Sequence, residues 1–150
     1  LHRFIDREIP IILGNDGISS AMTTEYLMAY YMMHHQDQSP NPFQLHHLLK
    51  MINDTYDYAS NILETKLGKF EKEYQADLLM IPYIPPTPIH QQNIFGHLFF
   101  GTFHSFKPKH VFIKGKQKIK NYQAHRKLEE KYRSAQASSS ELWKTLTKEV

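Results

Sequence analysis

Basic side chains recur at nearly every second position between Lys107 and Lys120, in the stretch KPKHVFIKGKQKIK. Side chains alternate between the two faces of an extended strand. Phe112 and the lysines at positions 114, 116, 118 and 120 are therefore expected on one face, and the apolar residues at 111, 113 and 119 on the other. A cationic row of this kind could follow phosphate groups, with aromatic rings available for stacking.

The candidate binding residues continue past this row into a predicted helix. They are Lys107, Lys109, Phe112, Lys114, Lys116, Lys118, Lys120, Tyr122, Arg126, Lys127 and Arg133. His125 and Lys131 extend the same basic surface. Lysine outnumbers arginine in this set, which suits diffuse electrostatic attraction better than bidentate recognition.

Two other interpretations of the lysines stay open. Lysine on an edge strand prevents pairing with another chain. Alternatively, the lysines could face the acidic surface of the preceding residues. The position of the acidic side chains separates these interpretations; the relevant ones are Asp54, Asp57, Glu64, Glu71 and Glu73.

The charge of the 150-residue chain is strongly divided between its two parts. Residues 1–106 hold 6 Lys or Arg and 11 Asp or Glu, a net charge of −5. Residues 107–150 hold 12 Lys or Arg and 4 Asp or Glu, a net charge of +8. An acidic body with a basic end predicts a partner for the basic end, either within the fold or outside it.

Other chemistry has weaker support in the sequence. The loop Leu13–Ser20 has the setting of a phosphate-binding turn but lacks the spacing and the lysine of such a loop. Ten histidines are present, yet the pairs His34–His35 and His46–His47 diverge on a helix, and no His-Glu-x-x-His occurs. Cysteine is absent, which excludes disulfides and thiolate chemistry. No metal site, cofactor or catalytic residue is therefore predicted.

The periodicity of apolar residues predicts a largely helical body. A short strand is expected over Ile9–Leu13 and a helix over Ala21–His35, capped by Ser19 or Ser20. A long amphipathic helix is expected from an Asn41 cap to about Leu78, whole or split near Gly68.

The second half of the chain alternates between extended and helical patterns. Residues 81–89 carry several prolines and predict a rigid connector. The Phe-rich stretch 93–106 fits both the helical and the strand periodicity, and its two glycines favour a strand. The alternating lysine row after it is also predicted to be a strand. Helices are expected over 122–136 and 141–150, with a break at Ala137–Ser140. No apolar run has the length of a membrane helix.

Together these patterns predict a single α+β domain over residues 1–150, predominantly helical. A helical body from about 20 to 80 would pack on a small antiparallel sheet with C-terminal helices. The first residue is Leu rather than Met, which favours a fragment of a longer chain.

The functional expectation is a non-enzymatic protein-interaction module, an adaptor or a subunit of a larger assembly. Its partner would be a protein with an acidic or apolar groove, or a second copy of the chain. The alternative is a nucleic-acid-binding domain that acts through residues 107–133. The absence of cysteine and of a signal peptide favours an intracellular location.

Overall fold

A computed structural model describes residues 1–17, 20–38 and 42–147. The helices are α1 (His2–Ile5), α2 (Met22–Gln36), α3 (Leu45–Leu63), α4 (Ile94–Thr102), which continues into a 3₁₀ turn at Phe103–Ser105, and α5 (Arg126–Leu146). The strands are β1 (Leu78–Met80), β2 (His110–Ile113), β3 (Lys116–Lys120) and β4 (Gln123–Ala124). They form one antiparallel sheet in the order β1-β2-β3-β4. The predicted α+β class with a predominance of helix is confirmed.

The hydrophobic core lies where α2, α3 and α4 meet. Its buried apolar residues are Tyr26, Leu27, Met33, Phe43, Leu48, Met51, Phe99 and Phe103. Burial raises the pKa of the Tyr26 phenol, which stays neutral among these side chains. No residue of the four strands is buried, so the sheet lies beside this core and contributes little to it.

The ends of α2 and α3 differ from the predicted ones. Helix α2 nearly matches its predicted range, but Ala21 is its N-cap, so a Ser20 cap is wrong, and Ser19 lies outside the described residues. Helix α3 begins later than predicted because Gln44 caps it together with the ring of His47; Asn41 also lies outside the described residues. The predicted continuation beyond residue 63 is wrong, since Glu64 adopts a left-handed conformation at φ 49° and ends the helix.

The Phe-rich stretch forms helix α4, so the expected strand is wrong. Phe99 and Phe103 lie one helical turn apart and both enter the core. Their burial outweighs the cost of about 1 kcal/mol for each helical glycine. The ring of Tyr83 packs closely on Gly101, and a Cβ atom there would lie 2.5 Å from that ring and displace it.

Arg126–Leu146 form one helix, and the predicted break at Ala137–Ser140 is wrong. Within this stretch, the Ser138 and Ser140 hydroxyls donate to the carbonyl oxygens four residues earlier, at 3.2 and 2.9 Å. Serine satisfied in this way remains compatible with a helix interior. Helix α5 therefore runs unbroken over 21 residues.

The N-terminal segment is irregular where a strand was expected over Ile9–Leu13. The Ile11 amide donates to the carboxylate of Asp54 on α3 at 3.1 Å, which takes the place of a strand partner. Residues 81–89 form neither helix nor strand and lead from β1 to α4. Within the part of the chain that the structure describes, no helix is long and apolar enough to cross a membrane.

Candidate binding surface

Two tight turns position the lysines of the sheet. Lys114 and Gly115 form the two-residue turn between β2 and β3, with φ values of 51° and 71°. Positive φ at both central residues is the geometry of a type I′ hairpin turn. The Asp77 carboxylate accepts the Lys114 amide at 2.7 Å, and the Ala76 carbonyl accepts the Gly115 amide at 2.9 Å. The residues just before β1 thus hold this turn in place.

The second turn is made by Asn121 and Tyr122, between β3 and β4, with φ values of 51° and 66°. The Tyr122 amide donates to the Lys109 carbonyl at 3.0 Å. The ring of Tyr122 lies under the Lys107 ammonium, whose Nζ is 5.4 Å from the ring centroid. Two predicted binding residues that are distant in sequence therefore meet at one end of the sheet.

The expected single row of lysines on one strand is wrong. The chain reverses at Lys114, so the lysines before and after this turn belong to different strands or to the loop before β2. Val111 pairs with Ile119 but Phe112 pairs with Gln117, which leaves Lys118 as an extra residue in β3. An extra residue interrupts the alternation of side chains along a strand. The lysines form a cluster around a hairpin instead of a line.

This cluster is open to solvent. Each of the six lysines between positions 107 and 120 is exposed. Among the described residues, none of these lysines forms an ion pair with a carboxylate. We call this group the lysine cluster; its members are Lys107, Lys109, Lys114, Lys116, Lys118 and Lys120.

None of the acidic residues that could have covered the lysine cluster forms a described ion pair with it. Asp54 binds Lys50 at 2.7 Å and Glu73 binds Lys66 at 2.8 Å, and each pair links residues close in sequence. The interpretation in which the acidic body neutralises the lysine cluster is therefore not supported by the described ion pairs.

The remaining predicted binding residues lie near the start of α5 or within the sheet. His125 caps α5 by accepting the Lys127 amide at 3.4 Å, and Arg126 pairs with Glu130 at 3.1 Å. Arg133 is exposed two turns further along the helix, whereas Phe112 is half-buried in β2. Phe112 is thus less available for stacking than Tyr122.

A small polar group that the sequence analysis missed lies beside α4. The His97 ring nitrogens lie 2.8 Å from the Tyr83 hydroxyl and 3.2 Å from the Thr87 hydroxyl. Asn93 accepts the His90 amide and donates to the Pro88 carbonyl, at 2.8 and 3.0 Å. These contacts hold the Pro-rich segment against α4, and proline spacing alone gave no signal for them.

The other histidines make separate local contacts. The His46 and His47 rings lie with centroids 3.9 Å apart, and burial, followed by the neighbouring His46, lowers the pKa of His47. His104 contacts the Tyr31 hydroxyl at 2.9 Å. Within residues 1–17, 20–38 and 42–147, no three His, Cys, Asp or Glu side chains are grouped as metal ligands would be. Asp16 in the Gly14–Gly17 turn adopts φ 47°.

Comparison with curated proteins finds partial similarity. The chain is 31% identical over 100 residues to the 5-methylthioadenosine/S-adenosylhomocysteine deaminase of Thermotoga maritima. The match covers 65% of this chain and 24% of the deaminase, so the chain spans about a quarter of the length of this curated relative. No protein-family profile matches the chain. No solved structure matches it either.

Proposed function

We propose that this chain is a non-enzymatic interaction module, a segment or subunit of a larger assembly. The observation that carries the proposal is its exposed area of 12,205 Å². A compact folded chain of 17.7 kDa exposes about 8,000 Å². The excess of about 4,000 Å² is several times the roughly 800 Å² that one partner contributes to a standard protein interface.

Much of this surface is apolar. The Phe70 and Ile84 side chains are 89% and 92% exposed, and Leu79, Met80 and Ile113 are exposed on the sheet. Large apolar side chains exposed in this number are typical of surfaces that another structure covers. The partner would offer an apolar groove to these residues and an acidic surface to the lysine cluster.

The assembly that we propose is a deaminase-type enzyme. Its support is the 31% identity over 100 residues to the Thermotoga deaminase, together with the small share of that protein, 24%, that the chain spans. The remaining three quarters of such an enzyme would be the partner that covers the exposed surface. Hydrolytic deamination replaces an amino group by oxygen from water and releases ammonia, which gives the assembly a direct assay. We place this assembly inside the cell, because the chain has no cysteine.

The test is to tag the chain, produce it in its own host and recover it at low salt. We expect a species larger than 17.7 kDa that releases ammonia from 5-methylthioadenosine. With the double variant Phe70→Lys and Ile84→Lys, less of the larger species should be recovered. The matched control, Lys69→Ala with Lys72→Ala, changes exposed positions nearby and should recover it fully. A 17.7 kDa species without ammonia release would contradict the proposal.

A second candidate function is nucleic-acid binding, favoured by the exposure of the lysine cluster and its lack of described ion pairs. Each lysine that contacts a phosphate releases a counterion, so affinity should fall steeply with salt. The bases would stack on the exposed ring of Tyr122, which lies beside Lys107.

Fluorescence anisotropy with labelled single- and double-stranded oligonucleotides tests this second function between about 50 and 200 mM salt. A variant with Lys114, Lys116, Lys118 and Lys120 changed to Glu should bind far more weakly. The charge-matched control changes Arg3, Arg7, Lys69 and Lys72 to Glu and should bind nearly as wild type. Absence of binding at the lowest salt, or equal loss in both variants, would exclude specific use of the lysine cluster.

A further inference from the structure

Helix α5 carries a regular seam of small and apolar residues. Residues spaced alternately four and three apart along α5 share one narrow face, which is the spacing of coiled-coil core positions. The seam positions are Leu128, Tyr132, Ala135, Ser139, Leu142 and Leu146. From the first to the last of them the helix rises about 27 Å, at 1.5 Å per residue.

Among the described residues, the seam is uncovered from Tyr132 to Leu146. Helix α5 has no buried residue, and only Leu128 is even half-buried. Tyr132 and Leu142 are 63% and 59% exposed. Most helical stability in proteins comes from packing of an amphipathic face, so α5 gains stability when its seam is covered.

The polar interactions of α5 leave the seam free. Its two described ion pairs join Arg126 to Glu130 and Lys144 to Glu141. In the seven-residue repeat set by the seam, these four residues occupy the outer positions, away from the core positions. The described ion pairs of α5 therefore leave the seam positions free.

We propose that the seam binds the seam of a second copy of this chain, with the two helices antiparallel. In this arrangement Leu128 lies opposite Leu146 of the second copy, Tyr132 opposite Leu142, and Ala135 opposite Ser139. Large residues meet large residues at both ends. The small pair in the middle allows the helix axes to approach closely.

The charges of α5 favour the antiparallel orientation over the parallel one. Residues 126–136 hold four basic and two acidic residues, a net charge of +2, whereas residues 137–147 hold Glu141 and Lys144, a net charge of zero. A parallel pair would bring the two positive halves together, and an antiparallel pair separates them. Antiparallel helix dipoles also attract each other.

The first test measures the molar mass of the purified 150-residue chain by light scattering over a concentration series. We expect a rise from 17.7 kDa toward twice that mass. Ala135→Glu places a charge in the seam and should weaken dimerisation at least tenfold. Ala137→Glu makes the same change on the outer face and should leave it unaltered. Mass that stays at 17.7 kDa, or equal effects of the two variants, would overturn the proposal.

The second test uses the absence of cysteine in the chain to determine orientation. An equimolar mixture of Ala135→Cys and Ser139→Cys chains should form a disulfide-linked pair on mild oxidation, and each variant alone should form little. Ala137→Cys alone is the control for random collision. Efficient crosslinking of Ala135→Cys with itself would overturn the antiparallel arrangement. Because both tests use the purified chain alone, their outcome is independent of the proposed deaminase assembly.

Discussion

Replacing Phe99 by Ala should remove the centre of the hydrophobic core. The Phe99 side chain is fully buried, and its ring centroid lies 5.1 Å from that of Tyr30 and 5.3 Å from that of Phe103. Truncation of a buried Phe to Ala costs about 3–5 kcal/mol, through lost burial and the cavity left behind. With only eight buried apolar residues in the described core, the upper half of this range is expected.

This cost can be measured by urea unfolding followed by circular dichroism. With a denaturant slope of about 1–3 kcal/mol per molar urea, the unfolding midpoint should fall by roughly 2 M. Phe100→Ala is the matched control, because the neighbouring ring is 52% exposed; its midpoint should fall by less than half as much. Equal shifts for the two variants would refute the assignment of Phe99 to the core.

Three further changes test particular contacts. Gly68→Ala should destabilise the fold by about 1–3 kcal/mol in thermal unfolding, because Gly68 adopts φ 85° and a Cβ atom there would clash with the Tyr56 side chain. Asp77→Ala should speed hydrogen exchange of the Lys114 amide, which loses its 2.7 Å acceptor, while other β2 amides change less. Burial lowers the pKa of His47, so the stabilising contribution of the neutral ring is complete above its unfolded pKa of about 6.5 and is lost as pH falls below that value. In His47→Gln the unfolding midpoint should change less with pH over this range. A pH dependence equal to that of the wild type would contradict this prediction.

The fold class and helix α2 could be predicted because apolar spacing records which face of an element is buried. The expected range of α2 differs from the observed Met22–Gln36 by one residue at each end. For the Phe-rich stretch the spacing fitted both helix and strand, and the deciding term was the burial of Phe99 and Phe103, which depends on distant elements. The residues of the Phe-rich stretch alone do not indicate that distant elements bury Phe99 and Phe103.

The sequence analysis named the residues of the candidate surface, but it did not predict how the hairpin arranges them. The sequence left open whether the lysines are exposed, because lysine is buried only when it is paired and the acidic residues of the chain could have paired with it. The hairpin at Lys114 and Gly115 was missed because the alternating pattern on both sides concealed the reversal. A glycine between two short alternating runs is itself a signal for a two-residue turn, and here it would have divided the row.

The two surfaces that we assign to partners should respond oppositely to salt. The lysine cluster acts through charge, and at about 0.15 M salt charges further apart than about 8 Å are largely screened. Contacts of the α5 seam depend on apolar burial, which salts such as sulfate strengthen. Raising the salt concentration can dissociate the larger assembly and leave the mass of the dimer unchanged. In that case the lysine cluster stabilises the larger assembly and the seam stabilises the dimer. If both dissociate together, the basic end rather than the seam holds the dimer, since only a charge-dependent contact weakens in this way.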